Sequence, residues 1–331
     1  MPTILLSAPY MLPYYDRFKP VFAHYGLDVI APKVEERLEE EDILKYANQF
    51  DATICGDDRY SRRVLQGCLP RLKVVSKWGT GIDSIDQVAC KELGIQLKNT
   101  PNAFTLPVAD SVLGYMLAFA RRQPWMDKAM KSGEWKKIPG KSLSECTLGV
   151  VGLGNVGKAV IRRARGFGMT ILGTDIVPIA PDFIVENNVK LTTLEDLLSR
   201  SDYVSMNTDL NPTSRHLMNE KTFALMKPSA VIINTSRGPV IKETDLVKAL
   251  QSGQIAGTAL DVFEYEPLPL DSPLLKMDNV MIAPHNSNSS PAAWERVHWN
   301  TIRNMLAGLN IPADDLDELA CVRRDLERGR E

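Results

Sequence analysis

Three ionisable side chains follow apolar runs in the second half of the sequence. Arg237 follows the run 231–236, His285 closes the run 280–285, and Glu266 lies between them. Because the carboxyl ends of parallel strands line the ligand crevice of an open α/β sheet, side chains placed there can reach one site. An arginine can hold a carboxylate with two hydrogen bonds, a histidine can exchange a proton with a hydroxyl group, and a carboxylate can fix the histidine tautomer. The set predicts oxidation of a hydroxy acid, with Arg237, Glu266 and His285 as the catalytic residues.

A glycine-rich turn precedes these residues in the chain. The sequence GLGNVG at 152–157 follows an apolar run and opens a helical pattern. Gly152 permits the tight turn, Gly154 lets a pyrophosphate approach the backbone, and Gly157 lets the helix pack closely on the strand. The amides at the start of the helix then face the phosphates. The turn therefore predicts a dinucleotide cofactor.

An acidic residue identifies the dinucleotide. Asp175 follows the next strand pattern, eighteen residues beyond Gly157. A carboxylate at this place accepts hydrogen bonds from ribose hydroxyls and repels a 2′-phosphate. Residues 176–178 include no arginine that would bind such a phosphate. The predicted cofactor is NAD, and the alternative for Asp175 is an aspartate that only caps its own loop.

Two series of alternating strand and helix patterns position these residues. In the first series, the strand candidates are 3–7, 27–31, 52–55, 73–76 and 95–97, and the helix candidates are 14–25, 35–49, 61–69 and 85–93. A helix over 106–121 and a looser stretch over 122–141 come next. The second series has strand candidates at 148–152, 170–174, 203–206, 231–234, 257–261 and 280–283, and a last helix follows over 291–309. This alternation predicts an α/β fold of parallel sheets with helices on both faces, the second series being a domain of its own.

Composition argues against several classes of protein. The 331 residues are enough for two domains, and 44% hydrophobic with 24% charged residues is typical of a globular protein with a sizeable core. A formal net charge of −2 argues against a nucleic-acid partner, and the lack of an apolar run of about 18 residues argues against a membrane span. Five scattered cysteines predict reduced thiols in a cytoplasmic protein. Since cysteines and histidines show no metal-ligand spacing, no metal is expected.

Taken together, the motifs and their order resemble the D-isomer-specific 2-hydroxyacid dehydrogenases, and in particular the phosphoglycerate dehydrogenase-like members. The resemblance spans roughly residues 50–310. Besides the glycine turn and Asp175, it rests on the segments 79–83, 99–102, 234–238, 257–261, 266–267 and 284–285. Several separated motifs in the family's order make this resemblance far more specific than a glycine fingerprint alone.

The resemblance implies roles for individual residues. Arg237 would bind the substrate carboxylate and carbonyl, and Glu266 would support His285 as the acid or base. Asp261 would hold the nicotinamide carboxamide. The implied cofactor contacts are Gly152, Gly154, Asn155, Val156, Gly157, Asp175, Thr208, Thr235, Ser236 and Asp261. The implied substrate contacts are Lys77, Gly79, Thr80, Gly81, Asn102 and Arg237, with backbone amides at 79–81 holding the carboxylate.

The resemblance also implies an architecture. A Rossmann NAD domain over 101–287 would be inserted into a flavodoxin-like substrate domain made of 1–100 and 288–331. The last helix would pack back on the first half of the chain, and the protein would be a homodimer that acts on a small-molecule acid.

The substrate remains open between several acids. Lys77 favours an anionic distal group on the substrate, as in 3-phosphoglycerate, whereas Asp57 and Asp58 argue against a phosphate. Hydroxypyruvate, glyoxylate and phosphonopyruvate are the alternatives within the enzyme class. A different class, an NAD(H)-sensing binding protein similar to the family's transcriptional corepressors, is also compatible with the catalytic residues.

Overall fold

The structure is a computed structural model that describes residues 1–320 of the chain. It divides into two compact units, one formed by Met1–Phe104 together with the segment from Ser290 onward, the other by Thr105–Ser289. The predicted boundaries differ slightly from these. The first segment was expected to end at residue 100 and ends at 104, and the inserted unit was expected to end at residue 287 and ends at 289. Residues 321–331, which the sequence assigns to the substrate domain, lie outside the described part.

The first unit contains a five-stranded parallel sheet in the order β2-β1-β3-β4-β5. Its strands are β1 Thr3–Leu6, β2 Asp28–Ile30, β3 Ala52–Cys55, β4 Val74–Lys77 and β5 Gln96–Lys98. Its helices are α1 Tyr15–His24, α2 Glu40–Leu44, α3 Arg62–Gly67, α4 Gln87–Glu92 and, after the inserted unit, α12 Pro291–Gly308. Successive residues of a strand point to opposite faces of the sheet, and here they belong alternately to two separate hydrophobic clusters. Both faces of the sheet are therefore covered. This is the predicted flavodoxin-like order.

The second unit contains a seven-stranded parallel sheet in the order β12-β11-β10-β9-β6-β7-β8. Its strands are β6 Thr147–Val151, β7 Thr170–Thr174, β8 Val189–Leu191, β9 Tyr203–Met206, β10 Val231–Asn234, β11 Gly257–Leu260 and β12 Val280–Ile282. Its helices are α5 Thr105–Arg121, α6 Gln123–Lys131, α7 Asn155–Gly166, α8 Pro181–Glu186, α9 Leu194–Arg200, α10 Glu220–Phe223 and α11 Glu243–Gln251. The order reverses between β6 and β9, as in a Rossmann sheet, which confirms the predicted fold class.

Three elements differ from the sequence patterns. The helix predicted over 35–49 is limited to α2, because the amide of Leu38 donates to Asp58 Oδ1 at 2.7 Å and its carbonyl accepts from Arg59 at 3.1 Å. Residues 123–131, predicted as a looser stretch, form α6, since Pro124 lies in the first turn where it costs no hydrogen bond. Strand β8 was not predicted; it is a three-residue edge strand with too little pattern to detect.

Residues 1–320 contain neither a membrane-spanning helix nor a cluster of metal ligands. No helix of that part combines the length and the apolar character needed to cross a bilayer. In the same part, no group of three His, Cys, Asp or Glu side chains is arranged to hold a metal ion. Its four cysteines, Cys55, Cys68, Cys90 and Cys146, are buried free thiols, as predicted, while Cys321 lies outside the described residues.

Helix α12 attaches the end of the first unit to its sheet. It packs against β3, β4 and β5, and a side chain at Gly308 would come within 2.6 Å of Val74 Cγ1. His298 of this helix is 2% exposed, and its Nδ1 accepts a hydrogen bond from Trp78 Nε1 at 2.9 Å. Burial lowers the pKa of His298 from the ordinary 6.5 to about 4, so the imidazole stays neutral at pH 7. A neutral ring is required, because a protonated Nδ1 could not accept from Trp78.

We expect His298 to make the first unit sensitive to acid. The unfolded chain protonates this side chain below about pH 6.5, whereas the folded chain does so only near pH 4, so stability present at pH 7 is lost as the pH falls between those values. The loss between pH 7 and pH 5 is about 2 kcal/mol. In His298→Asn, which keeps an acceptor for Trp78, this part of the loss should disappear. Urea unfolding of both proteins at pH 7 and pH 5 measures it, and equal losses would contradict the role of His298.

Candidate active site

The glycine turn of the second unit joins β6 to α7. Gly152 has φ of +89°, and a side chain on it would come within 2.7 Å of the carbonyl oxygen of Asn207. A side chain on Gly157 would overlap the carbonyl oxygen of Gly152, so the helix can lie this close to the turn only with glycine there. These two glycines therefore have the geometry that the sequence motif predicts.

The start of α7 is open to a ligand. A side chain on Gly154 would meet no atom within 4 Å, so space lies above this residue. Gly154 is also the N-cap and supplies no capping side chain to the amides at Asn155 and Val156. Uncapped amides at the positive end of a helix are a binding site for an anion such as a pyrophosphate.

Asp175 lies directly after β7, beside the glycine turn. Its Oδ2 accepts a hydrogen bond from the amide of Leu153 at 2.6 Å, and its Oδ1 accepts from Val177 at 3.0 Å. The carboxylate thus holds the turn as well as its own loop. Next to it, residues 173–179, Leu191 and Thr192 line a cavity of about 310 Å³, and none of these lining residues is basic. A cavity of this size can accept part of a nucleotide.

Thr208 and Thr235 of the second unit each have a buried hydroxyl group for which the structure shows no hydrogen-bond partner. Thr208 Oγ1 lies two residues past β9, and Thr235 Oγ1 directly follows β10. Buried polar groups are nearly always satisfied by protein, water or a bound molecule. Both threonines follow strands at the sheet edge that carries the glycine turn, where Rossmann sheets bind a dinucleotide. The residues at this edge therefore fit a bound dinucleotide.

Glu266 and His285 lie together at the same edge, past β11 and β12. His285 Nδ1 is 2.9 Å from Glu266 Oε2, and both side chains are about one-quarter exposed. The other oxygen, Glu266 Oε1, accepts from the amide of Phe263 at 2.9 Å. Because the carboxylate accepts only, the hydrogen on this side of the ring is on Nδ1, which fixes the tautomer.

A buried carboxylate holds the backbone of His285. His285 has φ of +50°, a left-handed conformation that costs a non-glycine residue about 1–2 kcal/mol. Asp261, 1% exposed, accepts from Asn286 N at 2.8 Å through Oδ1 and from Ser287 N at 2.9 Å through Oδ2. The amide of His285 also donates to the carbonyl of Asp261 at 2.8 Å. Asp261 therefore positions the loop that carries the histidine.

Arg237 lies on the loop after β10, which touches the loop of Glu266. A side chain on Gly238 would overlap the carbonyl oxygen of Phe263, so only glycine allows the two loops to meet. Asn234, fully buried, accepts from Ser236 N at 3.0 Å and Ser236 Oγ at 2.8 Å and donates to the carbonyl of Arg237 at 2.9 Å. The loop that carries the arginine is thus held by one asparagine.

The predicted substrate loop belongs to the first unit. Gly79 has φ of +123°, and its carbonyl accepts from Thr100 N at 2.9 Å. Thr80 donates through Oγ1 to the carbonyl of Thr100 at 3.0 Å, and its own carbonyl accepts from Asn99 Nδ2 at 2.6 Å. Segment 79–81 is therefore held against segment 99–102, where Asn102 has φ of +63°.

The two acidic residues near this loop have different environments. Asp58 is fully buried, accepts from Ser7 Oγ and Leu38 N, and has its pKa raised by burial to about 6. Its carboxylate is inside the protein, so of the two acidic residues expected to disfavour a phosphate only Asp57 reaches the surface. Asp57 is 46% exposed and its Oδ1 is 3.1 Å from Lys77 Nζ, while the lysine side chain is only 5% exposed. Lys77 is thus ion-paired.

Sequence reasoning missed Asn234 and the anchoring contacts of Asp261. The sequence shows Asn234 as part of the motif 234–238, and an asparagine at the end of an apolar strand is the signal that its side chain holds the next loop. For Asp261, the amides that it holds lie 25 and 26 residues further along the chain, a distance at which no local pattern reports a contact.

A family model described as D-isomer specific 2-hydroxyacid dehydrogenase, NAD binding domain, matches residues 113–287. The glyoxylate reductase of Thermofilum pendens is 39% identical over 276 residues, which make up 81% of this chain and 81% of that protein. The D-3-phosphoglycerate dehydrogenase of Methanocaldococcus jannaschii is 39% identical over 266 residues, 79% of this chain but 50% of that protein.

Solved structures show the same similarity. The structure of D-lactate dehydrogenase from Aquifex aeolicus, complexed with NAD and lactic acid, has a TM-score of 0.83 to this chain and is 25% identical. The match covers 93% of this chain and 95% of that one. Since neither unit alone makes up so large a share of the chain, the similarity includes residues of both units.

Proposed function

The chain belongs to the D-isomer-specific 2-hydroxyacid dehydrogenase family, and from this premise we propose that it reduces glyoxylate or a 2-keto acid of similar size. Its reaction class is NAD-dependent interconversion of a D-2-hydroxy acid and its 2-keto acid. NAD, when bound, supplies or accepts the hydride at C2 of the acid. The observation that carries the proposed site is the 2.9 Å contact between His285 Nδ1 and Glu266 Oε2.

His285 is the proposed proton donor and acceptor. Its Nδ1 is hydrogen-bonded to Glu266, so we assign proton transfer to the other ring nitrogen, Nε2. In the direction of reduction, Nε2 gives its proton to the carbonyl oxygen of the keto acid, and in oxidation it takes the hydroxyl proton back. Glu266 stabilises the protonated ring between these two events by its negative charge.

Arg237 and the loop of the first unit are the proposed binding groups. The guanidinium of Arg237 can hold the carboxylate with two hydrogen bonds and polarise the carbonyl oxygen. We assign the remaining substrate contacts to the first unit, at Lys77, Gly79, Thr80, Gly81 and Asn102. Backbone amides in 79–81 suit a carboxylate, because Gly79 and Gly81 carry no side chain that would keep the acid from the backbone.

The relatives favour a short keto acid as the substrate. Three relatives named glyoxylate reductase and one named hydroxypyruvate reductase are 35–40% identical to this chain and match 72–83% of it. Glyoxylate and hydroxypyruvate are therefore proposed ahead of 3-phosphohydroxypyruvate.

We expect the purified protein to oxidise NADH with glyoxylate or hydroxypyruvate, and His285→Ala to lose about 100- to 10,000-fold in kcat because proton transfer is lost. Absorbance of NADH measures turnover, and quenching of protein fluorescence measures NADH binding. NADH should bind equally to both proteins, since the histidine acts on the acid rather than on the nucleotide.

His24→Ala, which removes a surface histidine paired with Asp315, serves as the matched control and should keep full turnover. Equal losses of turnover and of NADH binding in His285→Ala would contradict the acid–base role. If NADH bound to the wild-type protein but no keto acid were reduced, the proposed substrates would be wrong and a nucleotide-sensing role would be the better proposal.

Asp175, with the glycine turn, Thr208, Thr235, Ser236 and Asp261, forms the proposed NAD site. Asp175→Asn keeps an oxygen that can accept from Leu153 but removes the charge that repels a 2′-phosphate. We expect the ratio of kcat/KM for NADH to kcat/KM for NADPH to fall about tenfold in this variant. Steady-state kinetics with both nucleotides measure this ratio. Asp182→Asn, an exposed carboxylate on α8 with the same change in net charge, should leave the preference unchanged. An unchanged preference in Asp175→Asn would remove this residue from the NAD site.

We further propose that the protein is a cytoplasmic homodimer. Trp135 is 89% exposed, and an exposed aromatic side chain of this size is typical of a surface covered by a partner. The free thiols of the described cysteines suit a reducing compartment, which cell fractionation checks. In sedimentation equilibrium, the dimer of Trp135→Ser should dissociate about tenfold more readily than that of the wild type, whereas Leu270→Ser, at an aliphatic side chain of the same unit that is 93% exposed, should not weaken it. A monomeric wild type would refute the dimer.

A further inference from the structure

An ion pair lies at the carboxyl edge of the first unit's sheet. Lys77 is the last residue of β4, and Asp57 lies two residues past the end of β3. Strands β3 and β4 are neighbours, with Cys55 opposite Lys77. Lys77 Nζ is 3.1 Å from Asp57 Oδ1. In an open parallel sheet this edge is where ligands bind, so the charge of this pair bears on the choice of substrate.

The ammonium group of Lys77 lies beneath the proposed substrate loop. It donates to the carbonyl oxygen of Trp78 at 3.1 Å, and it is 3.6 Å from the position of a side-chain carbon added to Gly79. The side chain is 5% exposed, and a buried ammonium needs a countercharge. Asp57 supplies that charge, and its carboxylate is the more exposed half of the pair.

The side chains around Trp78 add no further charge. The ring of Trp78 is 5.3 Å from Tyr10 and 5.6 Å from Phe104, and Tyr10 is 5.2 Å from Trp294, measured between ring centroids. The edge thus combines aromatic faces with the ion pair of Lys77 and Asp57, and the buried carboxyl group of Asp58 interacts electrostatically with both. Such surroundings suit a hydrogen atom, a methyl group or a hydroxymethyl group better than a dianion.

We propose that Asp57 is a specificity-determining residue that limits the substrates to 2-keto acids in which the second group on C2, a hydrogen atom or a short side chain, carries no charge. It does so by neutralising Lys77 and by placing its own negative charge at the exposed end of the pair. This inference rests on the proposed function, since it takes the loop 79–81 as the place where the acid binds. A phosphate group at C3, with a charge of about −1.5 to −2, is repelled by Asp57 and finds no unpaired ammonium.

The test is the ratio of kcat/KM for 3-phosphohydroxypyruvate to kcat/KM for hydroxypyruvate, both with NADH. Asp57→Asn removes the repelling charge and releases Lys77, so the ratio should rise about tenfold or more. Asp57→Glu keeps the charge and should leave the ratio within about twofold of the wild type. Asp16→Asn, which removes a surface carboxylate paired with Lys19 in the same unit, is the matched control and should also leave it unchanged.

An unchanged ratio in an Asp57→Asn protein that still reduces hydroxypyruvate would overturn the proposal, as would an equal rise in Asp57→Glu. Asp57→Gln, whose amide oxygen can still accept from Lys77, replaces Asp57→Asn if that protein does not fold. Combining Asp57→Asn with Lys77→Gln should abolish most of the gain, because the released ammonium is what attracts the phosphate. If the double variant kept the full rise in the kcat/KM ratio, Lys77 would have no part in the selection, and the proposed neutralisation of Lys77 by Asp57 would be wrong.

A binding measurement separates this proposal from the proposed function. Calorimetry of the NAD-saturated protein with 3-phosphoglycerate and with D-glycerate needs no turnover. If the wild type reduces none of the keto acids, the proposed substrates are wrong, yet a tenfold relative gain in 3-phosphoglycerate affinity in Asp57→Asn still supports the role of Asp57. No change in the relative affinity, or no binding of either acid to any variant, overturns it.

Discussion

The buried carboxylate of Asp261 is the contact on which the proposed chemistry depends most. Its two oxygens accept from consecutive backbone amides, Asn286 and Ser287, and its own carbonyl accepts from His285. These three hydrogen bonds keep His285 in a left-handed conformation that an isolated loop would leave. In that conformation, His285 Nδ1 is 2.9 Å from Glu266 Oε2. A carboxylate at the end of β11 thus holds the loop after β12, and the acid–base pair follows from it.

At the neighbouring loops of the second unit, too, a single polar side chain holds each loop. Asn234 holds the loop of Arg237 with one side chain, and Gly238 lets this loop touch the loop of Glu266. Asp175 likewise holds the glycine turn while facing the cavity proposed for the nucleotide. Asn234 is the last residue of β10, Gly238 lies on the loop after it, and Asp175 directly follows β7, so all three lie where the parallel sheet ends and the chain turns. The sheet fixes where the loops begin, and a single polar side chain then fixes where each loop goes.

Sequence patterns predicted the fold class and most strands, because buried parallel strands are short apolar runs bounded by turns. They failed where a contact distant in sequence overrode the local pattern. Leu38 belongs to a helical pattern, yet its amide and carbonyl bond to residues 58 and 59, so the helix begins only at Glu40. Likewise Asp57 and Asp58 look alike in the sequence, but one is at the exposed end of an ion pair and the other is fully buried.

The amino-acid sequence by itself determined the family, the NAD-dependent reaction class and the candidate catalytic residues. These rest on residue types at short spacings, such as glycines that alone permit the turn at 152–157, and local backbone sterics act over a few residues. The tertiary structure decided which charged groups are paired and which are buried. Asp57 meets Lys77 and Asp261 meets the amides of 286 and 287 only because neighbouring strands bring together residues twenty or more positions apart. Charge and burial depend on such contacts, and therefore so does the choice of substrate that we propose.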